Sequence, residues 1–329
     1  MKRRVLYFEE PYRVTLRQEN IAPLAPDAVL VETLVSAISA GTEMLFYRGQ
    51  VPAHMNVDAN IHALAGPVQY PLAYGYACVG RVVECGRAVA REWQDRLVFA
   101  FQPHASHFVA CATELLPLPE NVSPETAALL PNMETAVNLV MDGAPLLGER
   151  VCVLGQGVIG LLTTALVANM SPARLDAFDR IENRRAFALE FGAHAAHDSA
   201  NLETPDHDAD LTYELTGNPE ALNLALRLTG FGGRIVIGSW YGEKRAALDL
   251  GGSFHRSRIR LISSQVSTLA PELSGRWTKA RRMNAAWQML ERVNVGRLIT
   301  HRIPLEHAAT AYTMLDTEPD RVLQVMLIY

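Results

Sequence analysis

The chain is 329 residues long, about two domains by the usual length prior, and its 49% hydrophobic and 20% charged residues are ordinary globular composition. Disorder, collagen-like repeats and a small disulfide scaffold are excluded, and a formal net charge of −5 offers no general attraction to nucleic acid or to an anionic membrane. Four widely spaced cysteines, Cys78, Cys85, Cys111 and Cys152, form no C-x-x-C pair, so no zinc ribbon or redox dithiol is visible and buried thiols in a reducing, cytoplasmic setting are expected. The basic N-terminus leads into no continuous apolar region, so export is not indicated.

In chain order, the first 120 residues read as β-rich: Ala28 to Thr33 and Val79 to Glu84 are β-branched runs bounded by Pro, Gly and Asp. Pro52 to Pro71 lacks periodicity and reads as a long surface excursion of the kind that frames a site. After Glu120 strands alternate with helices. Val151 to Leu154 is a strand, Ile159 to Met170 a helix, Leu175 to Phe178 a strand, and Glu182 to Phe191 a helix stopped by Gly192. Leu211 to Leu215 is a strand, Pro219 to Leu228 a helix with Gly230 just past its end, and Arg234 to Gly238 a strand. This strict alternation predicts a parallel, doubly wound sheet and an α/β fold. A helix from Arg276 to Val293 and a short strand from Val322 to Ile328 close the chain. Val151 to Ala168 approaches membrane-span length, but its glycines, glutamine and threonines suit a soluble fold better, so no membrane segment is expected.

Val151-Cys-Val-Leu-Gly-Gln-Gly-Val-Ile-Gly160 is a strand entering G-x-G-x-x-G and then a helix, the context a dinucleotide fingerprint needs. Gly155 permits the tight turn, Gly157 lets the backbone approach a pyrophosphate, and Gly160 allows close packing of helix on strand. Gln156, Val158 and Ile159 complete the loop, and the helix N-terminus offers unpaired N–H groups to the phosphates. Asp179 ends the next strand 19 residues beyond Gly160, where a carboxylate accepts hydrogen bonds from the adenosine ribose. A carboxylate there repels a 2′-phosphate, so NAD is favoured over NADP. Arg180 either lies beneath the adenine or, with Arg184 and Arg185, pairs with a phosphate; the favoured reading leaves Arg184 and Arg185 on a solvated helix face.

Together with Ser39-Ala-Gly-Thr-Glu43, Gly75-Tyr-Ala-Cys-Val-Gly-Arg-Val-Val-Glu-Cys-Gly86, Glu214-Leu-Thr-Gly217 and Arg234-Ile-Val-Ile-Gly238, these residues resemble the medium-chain dehydrogenase/reductase superfamily, the zinc alcohol dehydrogenases and their relatives. The resemblance implies a GroES-like β-rich catalytic domain over residues 1–120 and 266–329, interrupted by a Rossmann dinucleotide-binding domain over 121–265. It also implies a homodimer formed through an edge strand near Arg258 to Gln265. Thr135, Thr216, Gly217, Ile237 and Gly238 fall at cofactor-contacting positions. Within the superfamily, Gly41 to Pro52 is most similar to the bacteriochlorophyllide a dehydrogenase group, which favours alcohol/ketone interconversion for a small-molecule substrate.

The departures concern zinc. Where the family places its ligand Cys, ligand His and third ligand, this chain has Ala40, Tyr76 and Pro131, and the four-cysteine structural lobe is absent. Catalytic zinc takes three protein ligands, so no metal is expected. His54, His62, His104 and His107 are weak candidates for a rebuilt site; surface or hydrogen-bonding roles are favoured for them. Without a metal, Thr42 falls where the family relays the substrate proton, and Tyr76 either hydrogen-bonds the substrate oxygen or fills the vacated space. Glu43 should find an arginine partner, and Glu134 reads as a helix N-terminal charge or a substrate contact. Phe254-His-Arg-Ser257 and Arg276-Trp277 suit an anionic or planar substrate, or equally a domain interface. The expected activity is zinc-independent, NAD(H)-dependent oxidoreduction of a secondary alcohol or ketone. NADPH-dependent quinone or enoyl reduction, and a non-catalytic NADH-binding or structural role, are the alternatives.

Overall fold

The computed structural model describes residues 1–52, 54–201 and 208–329. One unit comprises Met1–Pro131 with Asn294–Tyr329, and a second comprises Asn132–Val293. The first is therefore interrupted by the second, but the divisions fall at Pro131 and Val293 instead of the expected 120 and 265. The physical reason for the later division is Arg282. On the helix Lys279–Arg292, only 1% of it is exposed, and its guanidinium donates to Glu134 Oε1 at 2.9 Å and to Asn138 Oδ1 at 2.6 Å. Both partners stand on the helix Leu130–Gly143, so the later helix is held to the second unit by a buried charge.

The second unit carries a six-stranded parallel sheet among the described residues. In spatial order its strands are Ala195–Asp198, Arg174–Asp179, Arg150–Leu154, Ala209–Glu214, Thr229–Ile237 and Arg260–Ser263. In chain order that is third, second, first, fourth, fifth, sixth, the doubly wound order with its switch point beside the first strand. Val151, Val153, Leu175, Ala177, Leu211, Tyr213 and Val236 are at most 1% exposed, as befits a sheet covered on both faces. The helices Val158–Ala168, Glu182–Glu190 and Ala221–Leu228 fall within two residues of the sequence expectation. Gly230 does not stop the last of these; it lies inside the next strand. The helix ends where Thr229 turns extended and its hydroxyl donates to the Ala225 carbonyl at 2.7 Å. Gly192, at φ +99°, ends Glu182–Glu190 as expected. The last predicted helix begins at Lys279, not Arg276, because Thr278 caps it by accepting from the Arg281 N–H at 3.1 Å.

The first unit is built around the strand Ala28–Ala37, the central element of a seven-stranded sheet. It pairs antiparallel with Cys78–Cys85, His107–Cys111 and the C-terminal strand Gln324–Ile328, which places the end of the chain in this unit. A hairpin of Lys2–Glu10 and Arg13–Asn20 and a helix Ala308–Thr317 complete it; the sequence reading left both undivided. The excursion after Pro52 is irregular and pinned by buried Leu64, and its residue 53 lies outside the described residues. No helix among the described residues is long and apolar enough to cross a membrane.

Candidate nucleotide and active sites

The glycine loop leaves the strand Arg150–Leu154 at its C-terminal end. Gly155 has φ +86°, and a Cβ there would lie 2.7 Å from the Leu215 backbone, so both conformation and space demand glycine. Gly157 caps the helix Val158–Ala168, and a Cβ at 157 would meet no atom within 4 Å. That open side, above the free N–H groups of an 11-residue helix, fits a pyrophosphate. Val158 and Ile159 form the first turn of the helix. Gln156 turns inward: its amide donates to the Val153 carbonyl at 2.9 Å and accepts from Thr164 Oγ1 at 3.0 Å, which leaves only its backbone for the loop.

Asp179 binds this loop from the next strand. Its Oδ2 accepts from the Gln156 N–H at 2.7 Å and its Oδ1 from the Ile181 N–H at 2.8 Å, and each oxygen keeps lone-pair capacity for a ribose hydroxyl. Arg180 is exposed. Arg185 is not on a solvated face: it is half-buried, and its Nη1 donates to the Asp179 carbonyl at 2.9 Å. On the other side of the glycine-loop strand, buried Glu214 at the end of Ala209–Glu214 gathers the Thr216 N–H at 2.8 Å, the Thr216 hydroxyl at 2.5 Å and the Tyr241 hydroxyl at 2.5 Å. Gly217, at φ +70°, donates its N–H to Ser239 Oγ and accepts from Lys244 Nζ, each at 2.9 Å. Ile237 ends its strand, and the next residue, Gly238, lacks room for a Cβ, which would meet Leu139 at 2.5 Å and Leu215 at 2.6 Å. Thr135 is half-buried on the helix Leu130–Gly143. Glu134 beside it is neither a free N-terminal charge nor open to a substrate. It is the buried partner of Arg282; burial raises its pKa and the guanidinium opposes that rise.

In the first unit, Tyr76 is half-buried and its hydroxyl donates to Ser39 Oγ at 2.6 Å. Burial is the main cause lifting the phenol to about 12, against the hydrogen bonds with Ser39 and Thr42. Tyr76, Thr42 and Ser39 therefore form one polar group. Ser39 was not singled out in the sequence, although it lies within the motif that carries Thr42. The hydrogen bonds of Glu43 are to partners other than arginine: it accepts from the Ser39 N–H at 2.7 Å and from the Tyr312 hydroxyl at 2.5 Å, and its Oε2 lies 3.0 Å from His104 Nε2. The turn from Ser39 into the helix Thr42–Tyr47 buries that carboxylate completely, and a backbone N–H, an imidazole and a phenol surround it in place of the expected arginine.

The residues at the positions that the resemblance assigns to zinc are poor ligands. Ala40 and Pro131 have no side-chain donor atom, and Tyr76 is a protonated phenol already bonded to Ser39. No group of three His, Cys, Asp or Glu side chains among the described residues could hold a metal ion. His54 and His62 are exposed, His107 contacts Ser106, and His104 is buried against Glu43. The donor set does not fit zinc. Cys78 and Cys152 are buried and Cys85 and Cys111 half-buried, all four free.

Phe254 and His255 line a surface cleft of about 510 Å³ with Phe231, Arg258 and Arg260. It lies at the starting ends of the strands Thr229–Ile237 and Arg260–Ser263, the edge of a parallel sheet opposite the glycine loop. Trp277 lies beneath the Arg281 guanidinium at 4.1 Å.

Residues 158–285 match the family model for zinc-binding dehydrogenases. Across 99% of its length the chain is similar to 2-desacetyl-2-hydroxyethyl bacteriochlorophyllide A dehydrogenase of Cereibacter sphaeroides, at 24% identity over 346 aligned positions covering 98% of that protein. Human sorbitol dehydrogenase is 27% identical over 206 positions, 59% of this chain and 54% of that one. Among solved structures, a zinc-binding dehydrogenase of Sinorhizobium meliloti 1021 bound to NADP matches with a TM-score of 0.80 at 19% identity, covering 100% of both chains. The short chain alcohol dehydrogenase rspB of Escherichia coli CFT073, complexed with NADH, matches with a TM-score of 0.81 at 17% identity, covering 100% of this chain and 99% of that one. At these identities the structures establish the fold: a GroES-like unit and a Rossmann unit in one α/β chain.

Proposed function

We propose that this chain is a zinc-independent, NAD(H)-dependent oxidoreductase interconverting a secondary alcohol and a ketone. The observation that carries the reading is the donor set at the family's ligand positions: Ala40, Pro131 and a phenol, Tyr76, whose pKa of about 12 keeps its proton at neutral pH. A bound nicotinamide would supply or accept the hydride. Gly157 and the first turn of the helix Val158–Ala168 would hold its pyrophosphate and Asp179 its adenosine ribose.

A carbonyl receiving hydride develops negative charge on oxygen, and a preorganised O–H donor stabilises it. Tyr76 meets that need if its hydroxyl turns from Ser39 to the substrate oxygen. Thr42, a hydroxyl that both donates and accepts, passes the proton onward. In the oxidation direction the same groups run in reverse. The NADPH reading rests on Arg180, whose exposed guanidinium is able to meet a 2′-phosphate. We further propose a homodimer paired through the largely exposed edge strand Arg260–Ser263. The test is a panel of secondary alcohols, ketones and activated alkenes read by nicotinamide fluorescence. Turnover of alcohols or ketones with NAD(H) supports the reading, and turnover confined to alkenes with NADPH overturns it.

A further inference from the structure

Tyr76 is approached from two directions by one buried side chain. His104 is 0% exposed, as is Glu43. On one side, His104 Nε2 lies 3.0 Å from Glu43 Oε2, Glu43 Oε1 accepts from the Ser39 N–H at 2.7 Å, and Ser39 Oγ accepts from the Tyr76 hydroxyl at 2.6 Å. On the other, the His104 N–H donates to the Tyr74 carbonyl at 3.1 Å, and its imidazole lies against Gly75, the residue before Tyr76. Gly75 is at φ +117°, and a Cβ there would sit 2.5 Å from His104 Cδ2, so the imidazole occupies the space a side chain would take. The His104 ring thus packs beside the residue that precedes Tyr76 and reaches the Tyr76 hydroxyl through Glu43 and Ser39.

The ring is itself held. Ser36 Oγ lies 2.7 Å from His104 Nδ1 and 2.8 Å from the Tyr329 hydroxyl. With Nε2–H donating to the Glu43 carboxylate, the chain of bonds closes when Tyr329 donates to Ser36 and Ser36 donates to Nδ1. Tyr312 gives Glu43 a further donor at 2.5 Å. A buried carboxylate with three donors is fixed in place, because each bond lost would leave a buried acceptor or donor unpaired.

We propose that His104 and Glu43 are positioning residues that hold the Tyr76 phenol, supplying from within the protein the rigidity that a bound metal would otherwise give this site. The proposal rests on the reading of Tyr76 as the group that meets the substrate oxygen. The experiment is carbon-13 NMR of the full chain labelled at tyrosine Cζ, with the Tyr76 signal identified by its loss in Tyr76→Phe. NADH binding and thermal unfolding certify that each variant is folded. His104→Ala and Glu43→Gln should both move the Tyr76 signal and lower kcat by roughly tenfold to a hundredfold, the scale of a small misplacement at a reacting centre. His104→Gln, whose amide nitrogen reaches the Nε2 position, should restore the signal and most of kcat. Should His104→Ala fail to fold, Glu43→Gln and His104→Gln carry the test between them. A Tyr76 signal unmoved in folded Glu43→Gln and His104→Ala overturns the proposal, as does a signal that His104→Gln moves as far as Glu43→Gln does. Full turnover in Tyr76→Phe would instead overturn the reading of Tyr76, while the signal would still decide the positioning.

Discussion

Gly160 sits so close to the Gly155 carbonyl that a Cβ at 160 would lie 1.8 Å from that oxygen, with no flexible atom between them to give way. The helix Val158–Ala168 therefore packs onto the turn before it only because residue 160 has no side chain. Gly160→Ala should push the helix away, destabilising the chain by about 1–3 kcal/mol, the usual cost of overpacking, and weakening NADH binding. Thermal unfolding and a fluorescence titration with NADH measure the two effects. Unchanged values for both would show that the loop tolerates a methyl group.

Asp179 stabilises the same loop and is proposed to select its ligand. NADH should bind more tightly than NADPH, and Asp179→Asn, which removes the charge but keeps an acceptor for a backbone N–H, should narrow the ratio by about tenfold, a difference near 1.4 kcal/mol. Parallel titrations with the two reduced nucleotides measure it. A wild-type preference for NADPH would remove the ribose role from Asp179 and give Arg180 the 2′-phosphate.

Tyr76→Phe should lower kcat about tenfold or more, within the range of acid–base assistance, while NADH affinity stays unchanged. The phenol also carries a pH signature. Burial lifts Tyr76 from 10.0 to about 12, so above pH 10 the unfolded chain releases a proton that the folded chain retains. Its contribution to stability is complete below pH 10 and is lost as pH rises toward 12. Tyr312 and Tyr329, raised mainly by burial, act in the same direction. Melting temperatures across the alkaline range should fall less steeply in Tyr76→Phe than in the wild type.

Breaking the Arg282–Glu134 pair should cost far more than removing it. Arg282→Met alone leaves a buried carboxylate with its desolvation unrelieved, a loss of about 3–5 kcal/mol, and Glu134→Gln added to it should recover part of that. Urea unfolding of the single and double variants measures the difference. Additive losses would mean that the two side chains are not energetically coupled.

The Rossmann unit was legible because its signals are local. One apolar run, one glycine triplet and an acid 19 residues later report a strand, a turn and a carboxylate held against that turn within a single stretch of chain. The surroundings of Glu43 were not. Its partners His104 and Tyr312 lie 61 and 269 residues away, and no periodicity points from one to the other, so the charge rule suggested an arginine where a buried imidazole and a phenol are found. Glu134 was misread for the same reason, since Arg282 is 148 residues along the chain. The domain limits followed that error, because the helix bearing Arg282 looks from sequence like part of the C-terminal return. The inward turn of Gln156 was hidden differently: a fingerprint fixes backbone, not the direction of a side chain within it.

The most direct test of a metal-free mechanism is turnover by protein whose zinc content has been measured before and after exhaustive treatment with a chelator. Steady oxidation of a secondary alcohol with NAD, at the same rate in both samples and with zinc far below one per chain, is the expected result. Activity that disappears with the chelator and returns in proportion to one added zinc per chain would contradict it.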